Sequence, residues 1–157
     1  MKPNIYLETT IVSYLTARPS RDIILAAHQQ LTQEWWEARR KKFNLFVSQL
    51  VIQEAGSGDE QAAQKRLKQI EDISLLEVNK EAVLLARELI KENFLPQKAT
   101  EDSLHIAVAT VHGMNYLLTW NCAHIANAEM RHMIEERCRI KGYEAPIICT
   151  PEELLGG

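Results

Sequence analysis

The chain has 157 residues, 46% of them hydrophobic and 25% charged, which fits one compact domain burying about 70% of its unfolded surface and excludes disorder or a fibrous repeat. Lys and Arg total 18 against 21 Asp and Glu, a formal charge of −3, so binding through bulk positive charge is excluded and any nucleic acid must be met by a local patch. No apolar run approaches the ~20 residues of a membrane helix, and the opening residues carry no signal-peptide pattern; a cytoplasmic protein is expected. Cys122, Cys138 and Cys149 are odd in number and form no Cys-x-x-Cys pair, which argues against a disulfide framework or a zinc knuckle.

Ile5-Tyr6-Leu7 predicts a first strand, and the apolar patch Ile11 to Leu15 a short helix that Pro19-Ser20 ends. From about 21 to 42 an amphipathic helix is expected, its apolar face carrying Ile24, His28, Leu31, Trp35 and Ala38 at steps of four and three. Leu45 to Ser48 reads as a second strand, leading into helical turns over 49 to 55 that stop at Gly56. Ser57 and Glu60 have capping-box spacing for a helix from about 59 to 71.

Ser74 to Val78 is a candidate short strand, and Asn79 is placed to cap a helix with Val83, Ala86, Leu89 and Ile90 on one face. That helix is expected to stop near Phe94-Leu95-Pro96. Thr100 opens the next, with Leu104, Ala107, Val108 and Val111 on one face and Gly113 placed to end it. Asn115 to Thr119 is a strand, 124 to 140 a long polar helix, and Pro146 to Cys149 a last strand. Thr150, Pro151 and Glu153 then form a second capping-box pattern with Pro at the first helical position.

Apolar strands near 5, 46, 116 and 148 alternate with helices, without polar-out alternation. The expectation is a single α/β domain over 1–157: a three-layer α/β/α sandwich around a mostly parallel sheet of four to five strands. Such sheets bind ligands beyond the carboxyl ends of their strands, where the first strand runs directly into Glu8 and the second is followed within two turns by Glu54. Asp102 sits in the first turn of the helix before the strand that ends near Asn121. Acids gathered together repel unless a cation separates them, and carboxylate oxygens suit Mg²⁺ or Mn²⁺. Such an ion polarises a phosphodiester and lowers the pKa of a water for attack.

These segments resemble PIN-domain nucleases, in order and over nearly the whole chain. Tyr6-Leu7-Glu8-Thr9-Thr10 resembles the opening motif, an acid followed by Thr or Ser; Ser48 to Glu54 resembles the second. Glu101 to Ala107 is similar to the third, an Asp opening an Ala-rich helix, and Tyr116 to Asn121 to the fourth, a strand ending in Thr-x-Asp. Ile147 to Glu153 is similar to the closing strand and Thr-Pro-Glu ending. The resemblance implies a Mg²⁺- or Mn²⁺-dependent endoribonuclease, akin to the VapC toxins of bacterial toxin–antitoxin modules, that leaves a 5′-phosphate and a 3′-hydroxyl. It further implies a homodimer and an antitoxin partner. Glu8 and Asp102 become the principal metal ligands, Glu54 a ligand or water-orienting base and Asn121 a weak or indirect ligand, with Thr9, Ser48 and Thr119 holding the acids.

Two positions depart from that pattern. Glu8 stands where the family usually has Asp, and Asn121, which brings no charge, where it usually has an acid; Glu101 is a substitute acid. The alternative is therefore a catalytically weakened or inactive PIN-like module that binds RNA or protein. His105 lies one turn from Asp102 and could contact it or a phosphate, or pack between helix and strand; His124 after Asn121 is similarly open. The basic run Arg39 to Lys42 reads as a helix end complemented by cations or as a phosphate patch, and Trp35 and Trp36 could face core, groove or partner. Glycine-built phosphate, dinucleotide and serine-hydrolase loops are missing, as is zinc-hydrolase His spacing.

Overall fold

The computed structural model describes residues 1–91 and 99–156; the stop expected at Phe94-Leu95-Pro96 lies outside them. In chain order the elements are β1 (Asn4–Leu7), α1 (Thr9–Thr16), α2 (Ile23–Arg39), a 3-10 turn (Arg40–Lys42), β2 (Asn44–Ser48), α3 (Gln49–Ala55), α4 (Glu60–Ile70) and β3 (Ser74–Leu76). Then follow α5 (Lys80–Lys91), α6 (Thr100–Val111), β4 (Tyr116–Leu118), α7 (Ala128–Ile140), β5 (Ile147–Cys149) and a closing 3-10 turn (Pro151–Leu154).

The strands form a five-stranded sheet in the order β3-β2-β1-β4-β5, every adjacent pair parallel. The expected α/β architecture is thus what the chain adopts. Ile5, Tyr6 and Leu7 of central β1 are fully buried, because helices cover both faces of a parallel sheet. Right-handed crossovers explain the layers: connections running from β1 toward β3 put α1 to α4 on one face, and those running back past β1 to β5 put α5 to α7 on the other. Accordingly α1 packs on α2, α3 and α4, while α5 packs on α6 and α7. The connections after β1 and β4 diverge to opposite faces, which opens a crevice at their carboxyl ends. Among the described residues no helix is long and apolar enough to cross a membrane.

Local signals account for most boundaries. Asn79 accepts a hydrogen bond from Ala82 N at the start of α5. Past α6, Gly113 has φ +70°, which releases Gly113 N to Thr110 O and Met114 N to Ala109 O, the paired bonds of a glycine-terminated helix. The capping box of Thr150 and Glu153 is present. At α4 the expected Ser57 box is replaced by Asp59, whose carboxylate accepts from Ala62 N at 2.9 Å. Helix α7 begins at Ala128 rather than 124, behind Asn127, which accepts from Glu129 N.

The largest departure is the face of α2. Ile24, expected inside, is 66% exposed, and Ala38 is exposed too, whereas Gln29, Thr32 and Trp35 are buried. The two polar residues tolerate burial because each is satisfied. Gln29 accepts from Ser20 N and donates to Arg18 O; Thr32 donates to His28 O and accepts from the Trp120 indole. A hydrophobic pattern cannot register such positions. At the other end of α2, Arg40 donates to Trp36 O at 2.9 Å and lies 5.0 Å over the Trp36 ring, while Arg39 donates to Leu154 O. Two of the four clustered cations thus secure the helix end, and Trp35 is core while Trp36 is half-buried beneath Arg40.

Candidate active site

The ladders continue one residue past the strands: Glu8 N donates to Leu118 O across the β1–β4 pair, whose register sets Leu7 against Leu118, and Thr119 N to Cys149 O across the β4–β5 pair. Glu8 and Thr119 therefore stand side by side at the crevice. Two hydroxyls converge on Glu8 Oε1, Thr119 at 2.6 Å and Thr10 at 2.5 Å. Each hydroxyl also accepts a backbone donor, Asn121 N on Thr119 and Trp120 N on Thr10, so both protons are aimed at the carboxylate. Glu8 is only 4% exposed and immediately precedes α1, whose amino end favours an anion.

Glu54 reaches the same place from the last turn of α3. Its Oε1 accepts from the Thr9 hydroxyl and faces His105 Nε2 at 2.8 Å. Burial alone would raise its pKa, but the hydrogen bond and charge of His105, with help from Thr9 and Glu101, outweigh it and draw the carboxyl down to about 2. Glu101 on α6 moves the opposite way: its hydrogen bond to Glu54 and that group's charge hold it above the ordinary carboxylate range. Behind this pair, Tyr6 OH lies 2.7 Å from His105 Nδ1 and 2.8 Å from Ser48 Oγ. Burial pushes the Tyr6 phenol far up, so it stays protonated.

Asp102 and Asn121 occupy a neighbouring arrangement. Asp102 Oδ2 is 2.8 Å from His124 Nδ1. Asn121 Oδ1 accepts from His124 N, and its backbone carbonyl accepts from Ile125 and Ala126 N; it builds the turn that delivers His124 to Asp102. Among the described residues, the one group of three or more acidic, imidazole or thiol side chains whose ligand atoms all lie within 4.8 Å of one another is Glu8, Glu54 and His105. Asp102 is outside that group. Thr9 and Thr119 bond acids directly, whereas Ser48 bonds Tyr6 instead.

Sequence reasoning passed over Tyr6 and Thr10. A tyrosine inside an otherwise aliphatic buried strand was a usable signal, since a buried phenol needs a partner for its hydroxyl. It also missed a stack beside the site, in which His28 lies 4.0 Å from the Trp120 ring at 11° and Tyr14 6.3 Å from it on a similar plane.

The donor set fits a hard divalent cation. Two carboxylates from different elements converge, each with one oxygen held by a threonine hydroxyl, and the hydrogen bond and charge of Glu54 raise the pKa of the neighbouring Glu101. Oxygen-rich sites of low ligand number suit Mg²⁺ or Mn²⁺.

A parallel α/β sheet with acids gathered beyond its strand ends has its candidate site where doubly wound folds bind their ligands. The sequence matches the PIN domain family over residues 5–121, and the chain belongs to that family of nucleases. Two solved structures share its fold. One is VapBC2 from Rickettsia felis bound to a DNA fragment from their promoter, 17% identical, TM-score 0.58, covering 93% of this chain and 97% of that one. The other is VapC20 of Mycobacterium tuberculosis, described as a sarcin–ricin loop cleaving toxin, 13% identical, TM-score 0.60, covering 77% of this chain and 92% of that one. No curated protein sequence matches the chain.

Proposed function

We propose that residues 1–157 form one PIN domain that acts as a Mg²⁺- or Mn²⁺-dependent endoribonuclease of the VapC toxin kind, working in the cytoplasm. The observation that carries this reading is the convergence of Glu8 and Glu54 at the sheet's switch point, each oriented by threonine hydroxyls, in a chain of a nuclease family. A divalent cation, when bound there, would supply Lewis-acid polarisation of the phosphodiester and a lowered pKa for the attacking water. Glu8 and Glu54 hold that cation; Thr10, Thr119 and Thr9 fix the direction of their oxygens. Asp102, kept in place by His124, orients the attacking water or adds a contact to the cation, and Asn121 acts through the turn it caps. His28, stacked on Trp120 and only half-buried, is placed to meet a base of single-stranded RNA.

The likeness to VapBC2 supports a protein antitoxin as partner, and a homodimer is part of the same reading. Cleavage of a mixed labelled RNA pool with Mn²⁺ tests it: cutting should vanish with EDTA and in Glu8→Gln, and fall in Asp102→Asn. A second reading, a binding module without catalysis, draws support from Asn121 and from the pairing of Asp102 with His124. A folded sample that neither cuts RNA nor rises in melting temperature with Mn²⁺ would establish it, because a ligand of the native state alone must stabilise that state.

A further inference from the structure

In the buried row Ser48, Tyr6, His105, Glu54 the last link has a fixed direction, and that link decides what His105 does. Glu54 as a carboxylate only accepts, so His105 Nε2, 2.8 Å from its Oε1, carries a hydrogen. The other ring nitrogen faces the Tyr6 hydroxyl at 2.7 Å. With the ring neutral, Tyr6 donates to Nδ1 and accepts from Ser48; with the ring charged, Nδ1–H donates to Tyr6, whose own proton turns to Ser48. A serine hydroxyl serves either way, since it both donates and accepts. Both arrangements leave Nε2–H on Glu54.

We infer that His105 is a positioning residue, an N–H donor aligned by Tyr6 and Ser48 that aims Glu54, and that it stays outside the coordination of the cation held by Glu8 and Glu54. The inference rests on the proposed metal site and assigns a role within it. Proximity alone would suggest the opposite, because His105 lies within 4.8 Å of both carboxylates. Ligation, however, would require Nε2 to surrender its proton and its bond to Glu54, with the hydrogen moved to Nδ1. An imidazole ligand would also shift the preference from Mg²⁺ toward Zn²⁺, Ni²⁺ or Co²⁺.

The decisive measurement is the long-range proton–nitrogen spectrum of the protein carrying ¹⁵N-histidine, with and without saturating Mg²⁺, the His105 signals being assigned by their loss in His105→Gln. The expected pattern is a protonated Nε2 in both spectra. A proton on Nδ1 alone, before or after Mg²⁺, overturns the inference. Kinetics supply an independent arm. His105→Gln keeps an amide N–H near the Nε2 position and should retain most of the cleavage rate, whereas His105→Leu should lower kcat by about tenfold or more with KM for RNA unchanged. Equal losses in the two variants contradict the donor role. If no metal binds and no RNA is cut, the metal-free spectrum still decides whether His105 donates to Glu54, so failure of the nuclease reading is told apart from failure of this one.

Discussion

Replacing Thr119 by Val tests whether threonine hydroxyls hold the buried Glu8. Thr119 is fully buried, and Val copies its shape while removing the hydroxyl that donates to Glu8 Oε1 at 2.6 Å and accepts from Asn121 N. A hydrogen bond to a charged group is worth about 1.5–3 kcal/mol, and an acceptor left short of partners in a buried place adds to the loss. Thr10 still donates to the same oxygen, so a loss of about 2 kcal/mol is expected, near the middle of that range. In a chain this long, each kcal/mol moves the melting temperature by about 2–4 °C, which makes the fall about 4–8 °C.

Thr119→Ser is the matched control. It keeps the hydroxyl and deletes one methyl, worth about 0.8 kcal/mol. Thermal and urea unfolding of the three proteins, with and without Mg²⁺, supply the readout. Thr119→Val should also respond less to Mg²⁺ than the parent, since a cation can use only a carboxylate that is held in place. Equal stabilities of the Val and Ser variants, together with equal Mg²⁺ responses, would refute the idea that this hydroxyl sets the position of Glu8.

Glu54 predicts a particular acid limb of stability. Its folded pKa lies near 2 against an ordinary 4.5, so its contribution is complete above about pH 4.5 and is lost as pH falls toward 2; with solvent screening on this half-buried group it amounts to about 1–2 kcal/mol. Glu54→Gln should flatten the stability curve between those limits, and an unchanged slope counts against the His105 pairing. Cys122 is exposed while Cys138 and Cys149 are buried, the latter thiol pushed by burial to about 12. A thiol reagent should therefore modify one group quickly in the native protein and the other two only after unfolding; fast reaction of all three contradicts that burial. Among the described residues, Trp35 Nε1 is buried without an acceptor, whereas Trp120 Nε1 donates to Thr32 at 2.6 Å. Trp120→Phe should consequently cost at least about 1 kcal/mol more than Trp35→Phe in denaturant unfolding, and a reversed order would be inconsistent with these partners.

What could be read from the residues alone follows from the range of the interactions that decide each feature. Strands such as Ile5-Tyr6-Leu7 and Leu117-Leu118 are apolar because they are covered on both faces, so their parallel pairing was visible. The positions of Glu8 and Glu54 followed from strand ends, and the Thr150 capping box is a contact three residues long. The buried face of α2 was invisible because Gln29 and Thr32 are polar and are satisfied by Ser20, Arg18 and Trp120. Helix α4 takes its cap from Asp59 rather than Ser57, a choice between two adjacent acceptors that spacing does not settle. Contacts such as Tyr6 with His105 and Thr119 with Glu8 span about a hundred residues of chain and depend on register, which local pattern does not encode.

The two departures from the family pattern act together in the folded chain. An aspartate after β1 would be one methylene shorter; the longer Glu8 folds back under the hydroxyls of Thr10 and Thr119, which fix one oxygen and leave the group almost fully buried. Asn121, lacking charge, uses its carbonyl oxygen to cap the turn after β4, and that turn carries His124 to Asp102. Replacing an acid by Asn at this place removes one negative charge, and a histidine hydrogen-bonded to Asp102 engages another. The remaining acids of the cluster are Glu8 and Glu54, the latter hydrogen-bonded to His105, and they converge beyond the carboxyl ends of β1 and β2. A cation that neutralises two carboxylates meets there a smaller repulsion to offset than four acids would present, and correspondingly less attraction. In the proposed metal site the same arrangement would keep a place for the cation while lowering the affinity with which it is held.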